Sequence, residues 1–305
     1  MTTWLKIIPW CCQLFGMGLV LLGVFPAMAE EKTGMPDLAQ IEETCLPTST
    51  TNLIVWFGQH GYPKLIQKED SRDNGYIHTV HSVMSATEAR FDWGTQMKTV
   101  AGGIGKYVRD SGYACDVEYR GIADEGVKPF SQEWLRENDD PNKGFILLLA
   151  YIYANYSSGN AVFTPALGVG HAVTLVNAEP DMLLIHDPAH QEDETGRKIV
   201  TPQLITQGVL QDAKESRQAD GLLILSGSLL GAPPNGEVIV TGAVCVTMHP
   251  SGQPGGSSSP SSGSNSDTSI AASSPGSASG VSSAKPGNTN STSWWTWIFD
   301  LIFRK

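Results

Sequence analysis

The spacing of apolar residues changes character midway along the chain. Before residue 140 they recur at helical intervals between polar stretches; after it they gather into continuous apolar runs. In the stretch Cys45–His60, Leu53, Ile54 and Phe57 repeat at helical spacing behind Pro47, Thr48 and Ser49, residue types suited to a first helical turn, and Gly58 and Gly61 end the pattern. This predicts an amphipathic helix with Cys45 at its start. Residues 30–44 are polar and acidic and read as a lead-in packed beside that helix. Residues 62–92 hold Tyr62, Ile66, Tyr76, His78 and His81 without a clean period, which predicts loop with one or two short helices. Thr99 to Gly112 predicts a helix with Ile104, Tyr107 and Val108 on one face and Gly112 as its stop. Tyr113 to Tyr119 reads as a short strand, and residues 129–138 as a helix capped by Ser131 ahead of Trp134 and Leu135.

Phe145 to Tyr151 is wholly apolar and fits a central strand covered on both faces. His171–Val176 and Met182–His186 predict two strands joined through Asn-Ala-Glu-Pro-Asp. Leu222–Ser226 and Val238–Met248 predict two more, with Pro-Pro-Asn-Gly between them as a turn. Helices first and strands later imply an α+β domain, placed over residues 30–250.

The ends of the chain read differently. Residues 1–29 have the form of a secretory signal: Lys6, an apolar run from Ile7 to Phe25, and Ala27-Met28-Ala29 as a small-x-small cleavage site. Cleavage, or retention as a membrane anchor, both fit. Either way the protein is expected to be exported, to the periplasm or the outside. Residues 251–292 are dominated by Ser, Gly and Pro and predict a disordered linker. Residues 293–305 are an aromatic and aliphatic tail; as a helix, Trp294–Lys305 would reach only about 18 Å, too short to span a bilayer. Its tryptophans, with Arg304 and Lys305, suit attachment at a membrane surface, the alternative being docking on a protein.

The formal net charge of −11 argues against nucleic acid and against adhesion to anionic lipid. Of the 5 cysteines, Cys11 and Cys12 fall in the signal, leaving Cys45, Cys115 and Cys245. An odd number in an oxidising compartment leaves one thiol unpaired, and a Cys115–Cys245 disulfide would leave Cys45.

Cys45 is the candidate nucleophile, because a thiol at a helix start faces unpaired N–H groups and the positive dipole end, which favour the thiolate. The alternative is a buried or bridged structural cysteine. His171, at the start of a strand, supplies the candidate base. With residues 178–180 as the turn, His171 lies opposite Asp187; with a turn one residue longer it faces Pro188, and Asp187 is adjacent. A Cys–His pair needs such a third group to fix the imidazole. Other groups read as structural. Strand alternation turns His186 away from the Asp187 face, which weakens a metal site with His190. His78 and His81 read as surface or cleft wall, Gly102-Gly103-Ile104-Gly105 as a helix start or loop, Asp139-Asp140 as a turn, and the carboxylates of residues 191–194 as loop. No metal or cofactor is expected.

Cys45-Leu-Pro-Thr-Ser with Asn52, Gly170-His171-Ala-Val-Thr-Leu-Val176, and Ile185-His-Asp187-Pro-Ala together resemble the bacteriocin-processing (double-glycine) peptidase-like branch of the papain-like cysteine peptidases, over roughly residues 40–190. The resemblance implies a papain-like α+β fold: an N-terminal helical part with the nucleophile on a helix, then an antiparallel sheet carrying histidine and aspartate. It also implies Cys45 as nucleophile, His171 as general base and then acid, and Asp187 as the orienting residue. A glutamine upstream of the cysteine donates to the oxyanion in that family. Gln40 matches it here, at five residues instead of six. The Cys45 backbone N–H would be the other donor. The expected activity is cysteine peptidase cleavage of a peptide or protein substrate. Acyl transfer in the manner of a transglutaminase, or an inactive binding module on the same fold, are the alternatives.

Overall fold

The structure, a computed structural model, describes residues 32–250 apart from residues 71–74, 90–96, 123–127, 129, 157–159, 191–193, 212–215, 228–231 and 233. The signal, linker and tail expected for 1–29, 251–292 and 293–305 lie outside the described residues, whereas Gln40, Cys45, His171 and Asp187 all lie within them. In chain order the elements are α1 (Cys45–Gln59), α2 (Ile77–Thr87), α3 (Met97–Asp110), β1 (Cys115–Gly121), α4 (Gln132–Leu135), β2 (Lys143–Asn155), β3 (Ala161–Ala178), β4 (Leu183–His186), β5 (Arg197–Leu204), β6 (Gly208–Gln211), β7 (Ser216–Gln218), β8 (Leu223–Ser226) and β9 (Glu237–Met248). Among the described residues no helix is long and apolar enough to cross a membrane.

The strands close on themselves. β2 pairs with β3 on one edge and β9 on the other, and the path β9–β8–β5–β4–β3 completes the ring, every ladder in it antiparallel. The result is a six-stranded barrel. β1 extends it beyond β9, β6 pairs in parallel with the first residues of β3, and β7 pairs with β6. Strand alternation divides β2 between two cores. Phe145, Leu147 and Leu149 fill the barrel with Val173, Leu175 and Ile185. Ile146 and Leu148 face outward and join Leu53, Ile54 and Phe57 of α1 in a second core. A wholly apolar run was therefore the right pattern for β2, since both its faces are buried.

Helix α1 is covered on all sides from Cys45 to Gly58, so it is a central helix and not the surface amphipathic one its periodicity suggests. It lies directly on β2. A Cβ added at Gly144 would collide with Leu53, so the missing side chain there permits the close approach. The Ser131 cap is present, its Oγ accepting from Trp134 N at 3.2 Å, although the helix it starts lasts only 4 residues before passing into a 3₁₀ turn.

The expected papain-like α+β fold is overturned by this architecture. The described residues are mostly β, a closed antiparallel barrel with added strands and 4 short α-helices. Two things misled the helices-then-strands reading. β5, β6 and β7 lie in a polar region with no apolar run to mark them. Closure depends on the β2–β9 ladder, a pairing across about a hundred residues that no local period reveals. The Cys115–Cys245 disulfide is also absent: all three described cysteines are free. On the β1–β9 ladder Cys245 pairs with Glu118, and Cys115 pairs with Met248. Cys115 therefore stands three positions along, about 10 Å away and on the opposite face, beyond the reach of a disulfide.

Candidate active site

The site begins with how α1 is held. Its first two turns carry Thr48, Ser49, Thr50, Thr51 and Asn52, all buried. In a helix this tight against a sheet, buried polar groups need partners, and strand β3 supplies several. Ser49 Oγ donates to Ala172 O at 2.9 Å, and Thr174 Oγ1 donates back to Ser49 O at 2.8 Å. Asn52 Nδ2 donates to Thr174 Oγ1 at 3.3 Å, while its Oδ1 accepts from Leu38 N at 3.2 Å. Lead-in, helix and strand are thereby tied together one residue from His171. Cys45, as the first residue of α1, inherits that position.

The β3–β4 hairpin delivers the other two groups. Thr174 pairs with His186 and Leu175 with Ile185, so the observed positions sum to 360, and a bulge follows before Asn177–Leu184. Neither anticipated register is adopted. Continued one step, the ladder sets Asp187 opposite Val173, two residues from His171 and on the same face, which makes the two diagonal neighbours. The contact is made: His171 Nε2 and Asp187 Oδ1 are 2.6 Å apart.

The Asp187 turn is braced from several directions. Its Oδ1 also accepts from Ala189 N at 3.0 Å, its backbone N donates to Gly196 O at 2.8 Å, and its carbonyl lies 2.7 Å from His190 Nδ1. Gln40 N donates to Pro188 O at 2.8 Å, so the lead-in runs across the same turn. Gly196 is required here, because a Cβ would collide with the Asp187 carbonyl. His186 points the other way, to Pro36 O at 2.8 Å, as alternation predicts.

Cys45, His171 and Asp187 are 5%, 8% and 0% exposed. Burial works against a charge on His171, but hydrogen bonds to Asp187 and to the Cys45 side chain outweigh it and push the imidazole up to about 10. The thiol is thus near enough to the ring to bear on its charge. With Nε2 turned to Asp187, Nδ1 is the nitrogen left for sulfur. The structure brings His171 and Asp187 into direct contact and sets Cys45, at the start of α1, near enough to influence the imidazole. It can hold a thiolate beside an imidazolium, with the carboxylate fixing the ring.

Gln40 lies on the lead-in with its Nε2 donating to Glu42 O at 2.8 Å. Two contributors had no sequence signal. Tyr151, buried in β2 within the barrel core, has its pKa raised by burial first and then by the charges of Asp187 and Cys45. The Ser49–Asn52 clamp was hidden because polar residues early in a helix read as its solvent side; four consecutive Ser/Thr residues ahead of an apolar half were the available hint. Among the described residues no group of three or more His, Cys, Asp or Glu is arranged to hold a metal.

No protein-family model matches the chain, and no curated protein matches it in sequence. The likeness to the bacteriocin-processing peptidases therefore rests on the quoted motifs alone.

Proposed function

We propose that this protein is a cysteine peptidase that cleaves a peptide bond through a thioester at Cys45. The observation that supports it most is the 2.6 Å contact of one imidazole with a buried carboxylate, on a ring whose raised pKa also draws on the helix-terminal Cys45 thiol. In this reading the Cys45 thiolate adds to the scissile carbonyl, forming the C–S bond and moving a π pair onto oxygen. The tetrahedral intermediate collapses, the C–N bond breaks, and the His171 imidazolium gives its proton to the departing amine. The neutral imidazole then takes a proton from water, whose oxygen attacks the thioester and expels the thiolate. Asp187 holds the ring and stabilises its charge. Export, and attachment of the tail to a membrane surface, complete the proposal on the sequence patterns alone.

The burial of Cys45 and His171 favours a second reading. A covered thioester is shielded from bulk water, which suits transfer of the acyl group to an amine.

Iodoacetamide labelling followed by peptide mapping tests the thiol. Cys45 is expected to label fastest among the cysteines of the folded protein, and His171→Ala to abolish that preference. Undiminished labelling in His171→Ala refutes an activated thiol. Incubation with peptide and a free amine then separates hydrolysis from transfer by product mass.

A further inference from the structure

A carboxylate orients an imidazole only if it is itself held, so a catalytic constellation depends on supporting groups that touch no substrate. The turn that carries Asp187 takes much of its support from the lead-in. Pro36 O lies 2.8 Å from His186 Nδ1, and Gln40 N donates to Pro188 O at 2.8 Å. Asp37 Oδ2 accepts from Thr195 Oγ1 at 2.8 Å and from Arg197 N at 3.1 Å. Between these contacts Leu38 N donates to Asn52 Oδ1 of α1 at 3.2 Å. Residues 36–40 are therefore a strap bonded on two sides: to the helix that begins with Cys45, and to the turn that carries Asp187.

Within the strap Asp37 has the most direct line to the imidazole. Its two donors flank Gly196, Gly196 O accepts from Asp187 N at 2.8 Å, and Asp187 Oδ1 meets His171 Nε2 at 2.6 Å. The packing around Gly196 is tight as well, since a Cβ there would come within 2.6 Å of Asp37 Oδ1. That second oxygen is buried and accepts no hydrogen bond among the described residues. An acceptor buried without a donor is unfavourable, so what Asp37 contributes comes through Oδ2.

We propose that Asp37 is a positioning residue: by fixing Thr195 and Arg197 on either side of Gly196, it holds the Asp187 carboxylate against His171. Its value for catalysis rests on the reading of Cys45 as nucleophile, with His171 and Asp187 as its partners.

Two substitutions separate the hydrogen bonds from the charge. Asparagine can set its one oxygen at the Oδ2 position and keep both bonds, whereas alanine keeps neither. In the full chain, a ring-proton NMR titration should find the His171 midpoint about one pH unit lower in Asp37→Ala than in wild type, and within about 0.3 of a unit of wild type in Asp37→Asn. An unchanged midpoint in Asp37→Ala overturns the proposal, even with a lower melting temperature, because Asp37 would then brace the fold alone. A midpoint in Asp37→Asn as low as that of Asp37→Ala overturns it too, since the charge and not the bonds would carry the effect. Should Asp37→Ala fail to fold, Thr195→Val, which removes one donor and leaves the charge, takes its place: a downward shift supports the proposal and no shift overturns it. Selective iodoacetamide alkylation of Cys45 in the wild-type protein tests the nucleophile separately. Its absence would refute that reading, while the His171 titration still decides whether Asp37 positions Asp187.

Discussion

Replacing Asp187 by asparagine tests the centre of the site with little change in shape. In the wild-type protein Oδ1 accepts from His171 Nε2 at 2.6 Å and from Ala189 N at 3.0 Å. An asparagine oxygen in the same place keeps both bonds but loses the charge. A hydrogen bond to a charged group contributes about 1.5–3 kcal/mol and a neutral one about 0.5–1.5, so roughly 1 kcal/mol of preference for the imidazolium disappears. That lowers the ring's affinity for its proton by about one pH unit. The sign for stability follows from the raised imidazole. The His171 contribution is complete below the unfolded-state value near 6.5 and is lost as pH climbs through about 10. In Asp187→Asn the loss should begin at the same pH but be complete about one unit lower. Urea denaturation at a series of pH values from 6 to about 10, with the wild-type curve subtracted, gives the shift. A ring-proton NMR titration of His171 gives it independently. An unchanged or higher midpoint would refute the claim that Asp187 holds the imidazolium.

Ser49→Ala removes the buried bond to Ala172 O and should lower stability by about 1–2 kcal/mol in urea denaturation, with slower Cys45 alkylation as the helix loosens from the His171 strand. Unchanged stability and labelling would show that the clamp does not position the thiol. Gly196→Ala forces a Cβ into the Asp187 carbonyl and should cost about 1–3 kcal/mol, visible as a lower melting temperature. Burial pushes the Cys115 and Cys245 thiols up to about 11. At pH 7 both should resist iodoacetamide in the folded protein and react in urea without reductant, as read by peptide mass; a Cys115–Cys245 linked peptide would contradict the geometry.

What could be read from sequence was local. The α1 start at Cys45 and the α3 span needed only helical spacing and punctuating glycines, and β2 needed only an apolar run. Where elements meet through distant pairing, the signal vanished. β5 alternates buried and exposed positions weakly, leaving Ile199 and Leu204 exposed, and nothing in residues 197–218 advertises strands. The central burial of α1 was equally hidden. Its polar residues bond to β3 across more than a hundred residues of chain, so they look like a solvated face until the strand is in place.

The histidine–aspartate pair shows why a site can be legible when its register is not. Side-chain direction in a strand has period two, so a slip of two leaves every residue on its original face, whereas a slip of one reverses them all. The register summing to 358 and the observed 360 have the same parity, and Asp187 stays on the His171 side in both. The shift turns a direct pair into a diagonal one, and the bend at Pro188, braced by Gly196 O and Ala189 N, brings the carboxylate in to 2.6 Å. Had the hairpin taken the intermediate register, Asp187 would have pointed away from the ring. The bulge between Leu175 and Asn177 is therefore consequential: it absorbs the offset from the turn, so that the ladder reaches His171 with the parity the site requires.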